Sequence, residues 1–262
     1  MVNRPRNLRC PYCTFKLVPS LNPEKEHFIP KNLYVDSEQI LKKPIVWSCR
    51  KCNRAKGKLD QDWFIDLALC SPPDPIYNGL RERALKSLDP DGVEAGNEKE
   101  IRIRQALRDR VSARMHLVGS ISEFSPLPSL TIPEADSEGL RAILDINCKK
   151  FEEWIEYIVR GMWTFTHGSV LPLSHGIFIF YRSNRDLLIK EWGKLGLFLD
   201  PLIDLGPTIK INGFFHKVHR MLCLELLFHE NIYCYAIMAT KDQIEKVKNK
   251  KAFQGLVEST KS

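Results

Sequence analysis

Two Cys-x-x-Cys pairs, Cys10-Pro-Tyr-Cys13 and Cys49-Arg-Lys-Cys52, constrain this chain more than any other feature. Each pair can fold into a tight knuckle presenting two thiolates. Two knuckles supply four, the number that closes a tetrahedral zinc shell. A closed shell keeps no position for substrate, so this zinc is expected to be structural. Any chemistry then falls to residues between and just after the cysteines: Glu26-His27-Phe28-Ile29-Pro30, and the run from Asn53 to Asp60.

An acid followed by histidine and proline, then an asparagine directly after the fourth cysteine, resembles the HNH endonuclease family in its zinc-stapled ββα-metal form. That family's pattern runs Cys-x-x-Cys, Asp/Glu-His-x-x-Pro, then Cys-x-x-Cys-His/Asn-x-x-Lys-Gly. The likeness covers about the first 70 residues and implies a nuclease module there. It also implies that His27 is the general base and that Glu26 and Asn53 hold a catalytic divalent ion. Both ligands offer hard oxygens, which suit Mg²⁺ or Mn²⁺. The substrate so implied is nucleic acid, with DNA favoured over RNA. One position departs from the pattern: Pro44 stands where the family's middle Asn would brace the catalytic loop, and Asn32 is the available substitute. The departure supports a rival reading, a zinc-stapled nucleic-acid-binding module that does not cut. A redox protein cycling its Cys-x-x-Cys thiols is a third.

Charge agrees with a polyanionic partner. The chain carries a net +7, and its first 70 residues hold 13 Lys and Arg against 7 Asp and Glu. A basic excess confined to one module is what phosphate contacts need, although solubility alone can also maintain it. Lys51, Arg54, Lys56 and Lys58 are the candidate nucleic-acid contacts. No apolar run is long enough to span a bilayer, and no secretory signal follows the N-terminus. A cytoplasmic location and no membrane partner are therefore expected, and reduced cysteines fit that setting.

The overall expectation is an α+β chain in three parts. Residues 1–70 form the zinc-bound module. Phe15–Val18 and Glu26–Ile29 read as strands, Ile45–Trp47 as an extended lead-in, and a helix begins near Arg50. The stripe Leu59, Trp63, Leu67, Cys70 continues that helix. Three prolines within Ser71–Pro75 then break it. Residues 71–136 read as a helical, Pro-rich connector, with helices at 79–88 and 97–117 and a linker at 120–136. Residues 137–262 read as an α+β domain with an antiparallel sheet. A long helix capped by Ser137 runs to about Thr166, stopped by Gly168, and buries Phe151, Trp154, Ile155, Ile158, Val159 and Met162. Strands are expected at 177–181, 208–215, 221–228 and 232–239. This last part is the candidate for targeting or for a regulatory protein partner. His216, His219, Cys223 and His229 could be read as a second metal set, but ordinary packing explains them better.

Overall fold

The computed structural model describes residues 9–18, 22–35, 44–94, 96–118, 129–135, 141–180, 199–216, 221–230 and 232–248. The architecture is α+β. A two-stranded hairpin joins β1 (Glu24–His27) to β2 (Ile45–Ser48), in the register Glu26 opposite Val46 and His27 opposite Ile45. Helix α1 (Arg50–Leu69) follows at once. Helices α2 (Asn78–Ser87) and α3 (Glu98–Ser112) come next. Strands β3 (Met115–Val118), β4 (Ser129–Ala135) and β5 (Arg141–Asp145) form a sheet of order β3-β5-β4. Helix α4 (Cys148–His167) leads into β6 (His175–Phe180), β7 (Asp200–Asp204), β8 (Ile209–His216), β9 (Met221–Phe228) and β10 (Ile232–Thr240). These five form an antiparallel sheet of order β6-β10-β9-β8-β7, and α5 (Lys241–Lys248) closes the described chain.

The strand expected over Phe15–Val18 is reduced to a single bridge from Lys16 back to Arg9, because the Cys10 amide donates to the Phe15 carbonyl (2.8 Å) and closes the first knuckle on itself. Phe28 and Ile29 lie beyond β1 and are fully buried. Helix α1 runs unbroken past Gly57, an exposed position with open space beside its Cα. It ends at Leu69, before the prolines.

In the middle of the chain three expectations are corrected. The helix expected over 97–117 ends at Ser112, and Met115–Val118 instead pair with β5. The linker expected over 120–136 contains β4. Its register shifts between Thr131 and Ala135, around Pro133, which has no amide to donate. β4 tolerates this because it lies at the sheet edge. The long helix begins only at Cys148, capped by the Asn147 side chain on the Lys150 amide (3.0 Å), while residues 141–145 join the small sheet. Ser137 itself lies outside the described residues. Gly168 does stop the helix, in a left-handed conformation (φ 67°).

β7 is an addition to the expected strands, on the other edge of the large sheet, again with a register shift beside a proline, Pro201. The β9–β10 hairpin turns through His229 and Glu230, both at positive φ (46° and 58°), with Phe228 paired to Ile232 so that three residues join the strands. The six apolar residues named on α4 are all buried, and Trp154 packs on Phe228 of the sheet (5.3 Å between ring centroids). One buried cluster extends from Phe28 and Leu33 through Trp63, Leu67 and Tyr77 to Trp154, Phe228 and Met238.

Candidate metal centre and adjoining polar site

The sulfurs of Cys10, Cys13, Cys49 and Cys52 lie within 4.8 Å of one another, and Cys13 and Cys49 are 3.7 Å apart. Zn–S bonds of about 2.3 Å in a tetrahedron place sulfurs about 3.8 Å apart, so the cluster fits zinc. Local folding explains the convergence. In the first knuckle the Thr14 amide donates to the Cys10 carbonyl (2.9 Å), with Thr14 itself at φ 60°. The second knuckle is the start of α1: Cys49 is the extended residue before the helix, and Cys52 lies in its first turn. A helix N-terminus favours thiolate. Burial pushes the Cys10 thiol up to about 11 and raises Cys52 further, while backbone and thiol hydrogen bonds from Cys52 outweigh burial at Cys49 and lower it. Cys10 and Cys52 thus resist ionisation until a cation supplies the compensating charge. Among the described residues this is the one cluster of three or more Cys, His, Asp or Glu side chains close enough to share an ion.

In the small cluster around the sulfurs Cys10, Leu17 and Cys52 are buried, with Tyr12, Trp47 and Cys49 against them. Tyr12 also packs on the main core and meets Tyr157 of α4 edge-on (4.8 Å between ring centroids), while the sulfurs tie the same segment to α1.

Behind the metal site lies a second, purely polar arrangement. Asn53, Lys56 and Asp60 share the face of α1 turned towards β1. Lys56 is fully buried, and its Nζ donates to Asp60 Oδ2 (2.7 Å), Asp60 Oδ1 (2.9 Å) and the His27 carbonyl (3.2 Å), with Glu26 Oε1 at 3.3 Å. Ser48 Oγ donates to Glu26 Oε2 (3.2 Å), and the Trp154 indole donates to Asp60 Oδ1 (2.9 Å). Glu26 is itself buried. Burial pushes its carboxyl up to about 7 against the opposing pull of Lys56, and raises Asp60 in the same way. One buried ammonium therefore serves a buried carboxylate, Glu26, and a partly buried one, Asp60.

Lys56 is consequently withdrawn from the nucleic-acid contacts expected of it: no phosphate can reach a side chain sealed beneath the hairpin. Lys51, Arg54 and Lys58 are exposed. At 100° per residue they form a stripe on the side of α1 about 160° from the Asn53–Lys56–Asp60 face. The cation beside the site is Arg50, with Nε 3.6 Å from Glu24 Oε1.

Asn53 is not a helix cap, since its own amide bonds to the Cys49 carbonyl (3.0 Å) inside α1. Its side-chain Nδ2 donates to Glu24 Oε2 at 2.6 Å. Asn53 thus reaches Glu24, rather than Glu26 or His27. His27 ends β1, half-buried, with its carbonyl on Lys56. The loop after it is braced from two elements: Asn32 Nδ2 lies 3.5 Å from the Asp60 carbonyl, and Arg83 of α2 donates to the carbonyls of Asn32 (3.3 Å) and Tyr34 (2.8 Å). Pro44 immediately precedes β2 and is buried. Asn32 and Arg83 thus brace the loop that follows His27.

Three residues central to the site escaped the sequence reading. Glu24 stands two before Glu26, the spacing that places both on one strand face. Asp60 stands four after Lys56, the helical ion-pair spacing. Trp154 had no local signal at all. Of the second set of histidines, His219 and the His216 side chain lie outside the described residues. His229 is buried, with Nε2 donating to the Leu33 carbonyl (3.2 Å) and its ring edge-on to Tyr77. Burial pushes it down to about 4. Among the described residues no helix is long and apolar enough to cross a membrane.

Compared with family models, curated proteins and solved structures, the chain matches none.

Proposed function

We propose that this chain is a metal-dependent HNH-type endonuclease that hydrolyses phosphodiester bonds, with DNA favoured as substrate. The observation that carries this reading is the four-sulfur cluster itself, which ties the first knuckle to the start of α1, while β1, ending in His27, is bonded to the same helix through Asn53 and Lys56. Hairpin, helix and staple come in the order that the sequence resemblance implies.

In this reading a neutral His27 imidazole removes a proton from water as the water oxygen bonds to phosphorus. The P–O bond to the departing sugar oxygen breaks, and that oxygen leaves with its electron pair. Asn53 and a carboxylate of β1 would hold a hard divalent ion, Mg²⁺ or Mn²⁺, which when bound stabilises charge on the phosphate and the leaving oxygen. Glu26 is the carboxylate the resemblance names. The braced loop over residues 30–34 fixes His27 from behind. The part from α4 onward, which packs against Phe28, is the proposed site of targeting or restraint by a protein partner.

The second reading, a zinc-stapled module that binds nucleic acid without cutting, is favoured by one observation: Glu26 is already committed to Lys56. Plasmid and single-stranded substrates, titrated with Mg²⁺ and Mn²⁺, separate the two. Cleavage that His27→Ala abolishes supports the nuclease. Retention of nucleic acid by both proteins with no cleavage by either supports the binding module.

A further inference from the structure

Strand alternation turns Glu24 and Glu26 to the same side of β1, towards α1, yet the two carboxylates have different surroundings. Glu26 is buried, accepts from Ser48 and faces the Lys56 ammonium, so its charge is already balanced by a cation that is itself sealed from solvent. Glu24 keeps 37% of its side chain exposed and lies against the Asn53 carboxamide. A divalent ion reaching Glu26 would have to compete with Lys56 in the interior; one reaching Glu24 meets water and, among the described residues, the exposed guanidinium of Arg50.

We infer that Glu24 and Asn53 form the oxygen pair that takes a hard divalent cation in this chain, and that Glu26 is the buried counter-ion of Lys56. This rests on the nuclease reading above and revises which β1 carboxylate serves it. The donor chemistry fits. A carboxamide can turn its oxygen where its nitrogen now lies by rotating about its last bond, and Asn53 need only exchange Nδ2 for Oδ1 to present two oxygens to one ion. Monodentate carboxylate, carboxamide oxygen and several retained waters make the coordination that Mg²⁺ and Mn²⁺ accept. Arg50 then holds Glu24 in place without the ion, and is displaced towards solvent when it binds.

The test uses the full zinc-loaded chain without nucleic acid, with Mn²⁺ alone as probe, followed by electron paramagnetic resonance and calorimetry. Wild type should bind one Mn²⁺. Glu24→Gln, at an exposed position, should weaken binding at least about tenfold, whereas Glu26→Gln should stay within about threefold of wild type. Arg50→Met should tighten binding, since it removes the competing cation. Mn²⁺ binding unchanged by Glu24→Gln but lost in a folded Glu26→Gln overturns this assignment and leaves the nuclease reading standing. No Mn²⁺ binding by wild type overturns both.

Discussion

Gly161 of α4 and Phe28 approach so closely that a Cβ on Gly161 would lie 2.7 Å from Phe28 Cγ and closer still to its Cβ. Both neighbours belong to a fully buried aromatic side chain, so neither can swing aside cheaply. Phe28 directly follows His27, which makes α4 the wall that fixes where β1 ends. Gly161→Ala should therefore destabilise the protein by about 1–3 kcal/mol, the usual range for overpacking. It should also lower any His27-dependent cleavage by more than the lost folded fraction explains. Thermal melts alongside cleavage rates measure both; a variant as stable as wild type would contradict the close approach.

Residues 9–18 meet α4 through Tyr12 and α1 through the sulfur cluster, so their hold on α1 depends on the metal. Chelation, or Cys49→Ser, should free that segment to protease while the remaining elements hold longer. Limited proteolysis before and after chelator treatment, read by mass spectrometry, should put the first new cuts within residues 9–18. Equal resistance with and without zinc would show that the knuckles need no metal.

Replacing Lys56 with Met leaves the buried Glu26 and the partly buried Asp60 without their cation. The expected loss is about 3–5 kcal/mol near neutral pH, as for other broken buried pairs. The sign of its pH dependence follows from burial. Without Lys56 both carboxyls titrate higher in the folded state than unfolded, so the folded state binds more protons. The variant should regain stability as the solution is made acidic, and urea melts across pH 5.5–8 would show it.

Two groups of the wild type act oppositely in the same window. Glu26 has its folded value raised to about 7, so its contribution to stability grows as pH falls from 7 towards the unfolded carboxylate value. His229 has its folded value lowered to about 4, so stability falls as pH drops below the unfolded imidazole value near 6.5. Between pH 7 and 5.5 in excess zinc the two contributions should largely offset each other. His229→Asn, which suits the left-handed backbone there, should unmask a gain on acidification of about 1–2 kcal/mol. Glu26→Gln should unmask a loss. Parallel slopes in the two variants would refute this balance.

Much of the architecture could be read from local pattern. The stripe from Phe151 to Met162 specified the buried face of α4, the four cysteines converge as their spacing suggested, and β8, β9 and β10 lie where apolar runs placed them. What escaped depends on distant partners. β5 was hidden within an apparent helix because its pairing with β3 and β4, not its own composition, decides its state. β4 was hidden by Pro133, which an edge strand accepts at a bulge. At the site, Lys56 read as a surface charge because nothing local marks its burial. That burial comes from Trp154, 98 residues on, covering Asp60, and from the hairpin lying over α1.

The single apolar cluster that joins Phe28 to Met238 bears on how this molecule could be divided. His229 caps the Leu33 carbonyl from the far hairpin, Arg114 grips the buried Asp66 with two hydrogen bonds (2.8 and 2.9 Å), and Tyr77 reaches the Pro207 carbonyl. A fragment truncated after Cys70 would leave Trp63, Phe64 and Leu67 facing water and Asp60 without its indole partner. Such an excised piece should aggregate rather than stand alone, and the intact chain should melt in one step. The distal sheet is thus mechanically wired to the strand end bearing His27.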